Sequence, residues 1–145
     1  MKIAFVNNLY FPFNRGGAER VVEDSIRRRR ESGQEVFLIA ACPPGQTPPE
    51  TADLKIYWIK SSYYNQAQKN IVRRFIWQAG LFWPGRKYRK IKKILTAEKP
   101  DLICTHNLMG LNWRLPLLFR RLRIPQEHFL HDIQLLHPSG LMFAG

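Results

Sequence analysis

The chain has 145 residues, enough for one domain with a real core, and its 45% hydrophobic and 23% charged content is ordinary for a globular protein. Its charge is not ordinary: 23 Lys and Arg against 11 Asp and Glu give +12 at pH 7, which points to an anionic partner such as nucleic acid, acidic lipid or a phosphorylated ligand. Two isolated cysteines, Cys42 and Cys104, exclude a disulfide framework and a zinc site, and no apolar run approaches the ~20 residues of a membrane span.

The chain opens with KIAFVNN (2–8), a run of strand length. Four apolar residues after Lys2 are too few for the core of a signal peptide. They suit a strand buried on both faces, hence a parallel sheet covered by helices, with this first strand central. LYFPFNR (9–15) reads as a loop. From Gly17 the period becomes helical, with Ala18, Val21, Val22, Ser25 and Ile26 on one face. Acids at the start (Glu19, Glu23, Asp24) and RRRR at 27–30 complement the helix dipole, and Gly33 stops the helix. QEVFLIAAC (34–42) is a second strand, PPGQTPPE (43–50) a loop and LKIYWI (54–59) a third strand. Strand, helix, strand makes a βαβ unit with a right-handed crossover.

The middle differs in character. Residues 54–97 hold eleven Lys or Arg and no acid. IVRRFIWQAGLFW (71–83) sets bulky apolar groups among the charges, and Pro84-Gly85 breaks it. RKYRKIKKILTAEK (86–99) resumes as a basic amphipathic helix with Tyr88, Ile91, Ile94 and Leu95 on one side. PDLICTH (100–106) is a fourth buried strand, GLNWRLPLLFRRLR (110–123) a helix with Pro116 inside, and EHFLHD (127–132) a fifth strand.

Five strands alternating with helices predict a doubly wound α/β domain over 1–145 with a Rossmann-like parallel sheet. In such sheets ligands bind outside the carboxyl ends of the strands. Those ends carry Asn7-Asn8 with the glycine loop, His106-Asn107, and His131-Asp132. The Gly16-Gly17 pair, flanked by Arg15 and Arg20, reads either as a phosphate-binding helix start or as a tight turn without a ligand. Neither GxGxxG nor GxxxxGK[ST] is present, which disfavours a nicotinamide-dependent enzyme and a P-loop.

The stretches MKIAFVNNLYFPFNRGGAERVV, ESGQEVFLIAA, KPDLICTHNLMGL and IPQEHFLHDIQLLHPSG, in that order and spacing, resemble the N-terminal, acceptor-side domain of family-4 glycosyltransferases. These are retaining, nucleotide-sugar-dependent enzymes of GT-B architecture. The resemblance runs from residue 1 to about 140 and is weakest over 43–98. It implies that Gly16, Gly17 and Arg20 lie against the donor diphosphate, that His131 stands at the reaction centre, and that His106 and Asn107 face the acceptor cleft. Without the family, His131 reads equally as a satisfied strand-end histidine. The substrate implied is a UDP- or GDP-sugar, with no cofactor and no required metal, and no His/Asp/Glu spacing here calls for one. A glycan or lipid-linked acceptor and a C-terminal donor-binding domain, or separate subunit, are the implied partners.

The chain departs from the family in three ways. The second Rossmann-like domain is missing, so a C-terminally truncated domain, inactive alone, is expected. The paired glutamates of the family belong to that missing half; Glu23 and Glu31 have the spacing but lie on a charged helix face. Arg29 stands where the family has an apolar residue and is expected to turn its head group outward. The rival reading is a non-enzymatic basic module that binds anionic membrane or nucleic acid, though no RNA-binding signature is present. Within either reading, Arg73, Arg74, Trp77, Trp83, Lys90 and Lys93 are expected to form a membrane-facing surface, unless the aromatics pack on the sheet as core. The expected location is cytoplasmic, peripheral on the inner face of the membrane.

Overall fold

The computed structural model of the chain describes residues 1–13, 18–48, 53–63 and 70–129. Its elements are β1 (Lys2–Asn7), α1 (Ala18–Glu31), β2 (Glu35–Cys42), β3 (Lys55–Lys60), α2 (Ile71–Gly80), α3 (Arg86–Glu98), β4 (Leu102–Thr105), α4 (Leu115–Arg121) and β5 (Gln126–His128). The five strands form one parallel sheet in the order β3-β2-β1-β4-β5, with β1 at its centre. Outward growth from β1 reverses direction between β2 and β4, which makes the β1/β4 boundary the switch point of the sheet.

The apolar runs split cleanly between the two faces, as a period of two demands. Ile3, Phe5, Val36, Leu38, Ala40 and Cys104 pack with Val22 and Ile26 of α1. Ala4, Val6, Phe37, Ile39, Ala41 and Ile103 pack on the other face with α3 and α4. Tyr88, Ile91, Ile94 and Leu95 are the buried residues of α3, the stripe predicted from helical spacing. Val21 is a correction: it is 45% exposed, and among the described side chains of α1 it is Val22 and Ile26 that pack on the sheet.

Helix ends follow local chemistry. After α1, Gly33 takes φ +74°, its N–H donates to Arg30 O at 2.9 Å, and Gln34 N–H reaches back to Arg29 O at 3.1 Å. That pairing satisfies carbonyls the helix leaves free. One predicted span needs correcting. The helix expected over 110–123 is only Leu115–Arg121, because Pro116 stands in its first turn, where its missing N–H is harmless. Ahead of it Asn112 Oδ1 accepts from Arg114 N–H at 2.8 Å and Gly110 turns at φ +82°. In the fifth strand Gln126–His128 pair with β4 and Phe129 N–H donates to Thr105 O at 2.8 Å; residues 130–132 of the expected span, His131 and Asp132 among them, lie outside the described residues.

Arg29 does not simply turn outward. Its guanidinium meets the Glu127 carboxylate at 3.3 Å and ties α1 to the edge strand β5.

Candidate functional site

The carboxyl ends of β1 and β4 meet at the switch point. Their register sets Val6 beside Thr105, so the next residues of each strand leave the sheet together. Asn8 N–H donates to Asn107 O at 2.8 Å, and Asn107 N–H donates to Asn7 Oδ1 at 3.1 Å. Asn107 Oδ1 accepts from Met109 N–H at 2.9 Å. Two loops nearly a hundred residues apart in sequence are thereby locked into one rim. Asn7 and Asn8 are both buried, and the Asn8 Nδ2 amide has no hydrogen-bond partner among the described residues. A buried donor left unpaired costs roughly 1–3 kcal/mol, a cost that a bound acceptor group would relieve.

His106 follows β4 and is only 3% exposed. Its ring is stacked between Phe5 and Phe129, with centroids 5.9 and 4.8 Å away and interplanar angles of 18° and 8°. Phe129 thus covers one face of the His106 ring. His128, on the neighbouring strand, has Nδ1 at 2.8 Å from Thr105 Oγ1. Arg20 is exposed in the first turn of α1. Gly16, Gly17 and His131 lie outside the described residues.

A second cluster on the same edge was hidden in the basic run. Lys87 Nζ donates to Gly110 O at 2.6 Å and to Ser61 Oγ at 3.1 Å, and Ser61 Oγ itself donates to Gly110 O at 2.8 Å. The ammonium also lies 5.9 Å from the Trp77 ring centroid. With Trp77, Trp83, Arg86 and Asn112 it lines a cavity of about 320 Å³. Burial pushes the Lys87 ammonium below the usual lysine range. The signal was available: Lys87 precedes Ile91 by four residues and so falls on the buried stripe of α3. Eight neighbouring cations masked it.

The other end of that stripe is Glu98, at the amino edge of the sheet. It accepts from Lys2 Nζ and Lys55 Nζ, each at 2.6 Å, and from the Tyr57 hydroxyl. These bonds hold its carboxyl at about 2, well under the ordinary 4.5. Neither cysteine is poised as a nucleophile: burial raises both thiols, Cys104 to about 11.

The residues expected at a membrane are divided by the structure. Arg73, Arg74, Lys90, Lys93 and Trp83 are exposed. Lys90 Nζ donates to Trp58 O at 2.8 Å. Trp77 is half-buried, tilted against Tyr63 with ring centroids 6.3 Å apart. Through this contact α2 leans on the body of the domain, which corrects the placement of Trp77 on the outer surface.

A parallel sheet in 3-2-1-4-5 order, covered on both faces and with polar residues gathered where the order reverses, defines a Rossmann-like α/β domain. Residues 15–143 match the model of Glycosyltransferase Family 4, and the chain belongs to that family. It is 24% identical over 148 residues to an uncharacterized 42.6 kDa protein in the cps region of Klebsiella pneumoniae, covering 99% of this chain and 40% of that protein. The chain therefore spans about two-fifths of the length of this relative. Its fold is similar to that of UDP-GlcNAc 2-epimerase from Methanocaldococcus jannaschii, with a TM-score of 0.53 at 15% identity over 88% of this chain and 31% of the other. That likeness is one of fold alone.

Proposed function

We propose that this family-4 domain is the acceptor-side half of a GT-B enzyme. The enzyme moves a hexosyl unit from a UDP- or GDP-sugar to a glycan or lipid-linked acceptor, with retention and without a required metal. The observation that carries the reading is the rim at the β1/β4 switch point, where Asn8, His106 and Asn107 converge from strands that are otherwise apolar. The relative from a cps region suits a role in glycan assembly. In this reading the loop of Gly16 and Gly17 brings bare backbone N–H groups to the leaving diphosphate, and Arg20 adds positive charge. Donors fixed before the reaction stabilise the negative charge that develops there. His131 acts beside the transferred sugar.

Two measurements test it. In the longest natural form of the enzyme, Gly17→Asp abolishes transfer, because a carboxylate repels the diphosphate and fills its space. His131→Ala lowers turnover more than donor affinity. In calorimetry this chain alone binds UDP- and GDP-sugars weakly, since the base and ribose belong to the other half. Micromolar binding to the isolated chain overturns the acceptor-side assignment.

A further inference from the structure

The helix α2 is amphipathic in the wrong direction for a core helix. At 100° per residue, Ile71, Phe75, Val72 and Ile76 occupy an arc of about 140°. Arg73 and Arg74 flank the opposite side, with Trp77 between them. An ordinary surface helix turns its apolar arc to the sheet. Here the half-buried Trp77 makes the contact, over Lys87 and against Tyr63. The apolar arc looks outward: Ile71, Val72, Phe75 and Ile76 are 81%, 62%, 71% and 65% exposed, and α2 contains no buried residue. Beyond the helix, Phe82 and Trp83 are exposed as well. Single exposed apolar side chains need no explanation, but a contiguous face of them marks a docking surface.

We infer that α2 is an interfacial helix that docks the protein on an anionic lipid bilayer, with Ile71, Val72, Phe75 and Ile76 entering the head-group boundary and Arg73 and Arg74 meeting lipid phosphates. Charge decides in favour of this occupant. No acid interrupts residues 54–97, so an acidic surface meets cations throughout, whereas a second copy of the chain brings the same positive charge to the contact. An apolar face bordered by arginines is what holds a helix in the plane of an interface. The helix is fixed at its start, where Asn70 Oδ1 accepts from Arg73 N–H at 3.0 Å, so the stripe is presented ready-formed. Lys90 is committed to Trp58 O and Lys87 to Gly110 O, which narrows the basic run to the cations that remain on the outside. The inference is independent of which sugar is transferred.

Co-sedimentation of the full chain with vesicles tests it. Neutral phosphatidylcholine vesicles are compared with vesicles in which about a third of the lipid is phosphatidylglycerol. The chain pellets with the anionic vesicles, much less with the neutral ones, and is released as salt rises towards about 0.5 M. Arg73→Gln with Arg74→Gln weakens binding about 25-fold, at a factor of about five for each cation. Phe75→Ser with Ile76→Ser weakens it at least about tenfold. Both pairs are exposed, and unchanged thermal unfolding shows that each variant is folded. Equal binding to the two vesicle types overturns the inference, as does full binding by the serine variant. So does a lipid-free dimer that the serine variant dissolves, which makes the occupant a second copy. Salt-dependent retention on DNA that ignores the serine changes, without vesicle binding, overturns it in favour of nucleic acid.

Discussion

Gly110→Ala probes the junction between the loop after β3 and the loop after β4. Gly110 has φ +82°, a conformation that costs an L-residue about 1 kcal/mol or more. A Cβ built there meets Tyr63 Cβ at 2.7 Å, Tyr63 Cγ at 3.1 Å and Ser61 Oγ at 3.2 Å. Tyr63 Cβ is one bond from the backbone and cannot swing aside. Its own N–H donates to Ser61 Oγ at 3.3 Å, and that hydroxyl donates to Gly110 O. Relief therefore requires the two loops to part, and overpacking of this kind costs about 1–3 kcal/mol. The sum is about 2–4 kcal/mol, or a fall in Tm of roughly 6–12 °C at about 3 °C per kcal/mol for a domain of this size. Gly33→Ala is the control. It has the same sign of φ, +74°, but nothing within 4 Å of the new Cβ. It pays the backbone term alone, about 1 kcal/mol, partly offset by the lower entropy of the unfolded chain. Urea unfolding of the two variants beside the parent measures the difference. If Gly110→Ala loses no more stability than Gly33→Ala, the contact with Tyr63 does not hold the loops and the cluster around Lys87 is not rigid.

Two further predictions concern the ends of the α3 stripe. Glu98 has a carboxyl pKa held at about 2 by Lys2, Lys55 and Tyr57, so its contribution is fully present above about pH 5 and is lost as the pH falls towards about 2. Glu98→Gln costs about 1–2 kcal/mol at neutral pH and flattens the acid limb of a stability-against-pH curve; an unchanged acid limb refutes the coupling. Lys87→Met keeps the volume, and Ser61 still donates to Gly110 O, so no buried acceptor is orphaned. Stability then stays within about 1 kcal/mol or rises, because the desolvated ammonium is gone. A loss above about 2 kcal/mol shows that the ammonium, not the hydroxyl, joins the loops.

Much of the sheet was legible because burial on both faces leaves little room for other residues. KIAFVN and EVFLIAAC divide between the two faces residue by residue, and any polar substitution within them breaks a layer. The candidate site was legible only as residue types at strand ends. That Asn8 meets Asn107 depends on the register of β1 against β4, and nothing local to either segment encodes a pairing across about a hundred residues. The burial of His106 was illegible for the same reason, since its two covering rings come from β1 and from the residue after β5.

The two basic helices show where reading periodicity stops. α2 and α3 both carry an apolar arc, and the arc alone says that something covers it, not what. In α3 the arc is bracketed by charged residues that find partners on the domain itself: Lys87 with the loops at the carboxyl edge, Glu98 with Lys2 and Lys55 at the amino edge. Those partners fix which side faces inward. In α2 the two arginines stand between the apolar arc and Trp77, and the protein supplies no acid within residues 54–97 to draw them to the domain surface. Aromatic contact with Tyr63 and Lys87 then sets the inward side. The apolar arc is left facing out, where the covering group must come from outside the described domain. Charge placement around an apolar arc, more than the arc, decides whether a helix is core or interface.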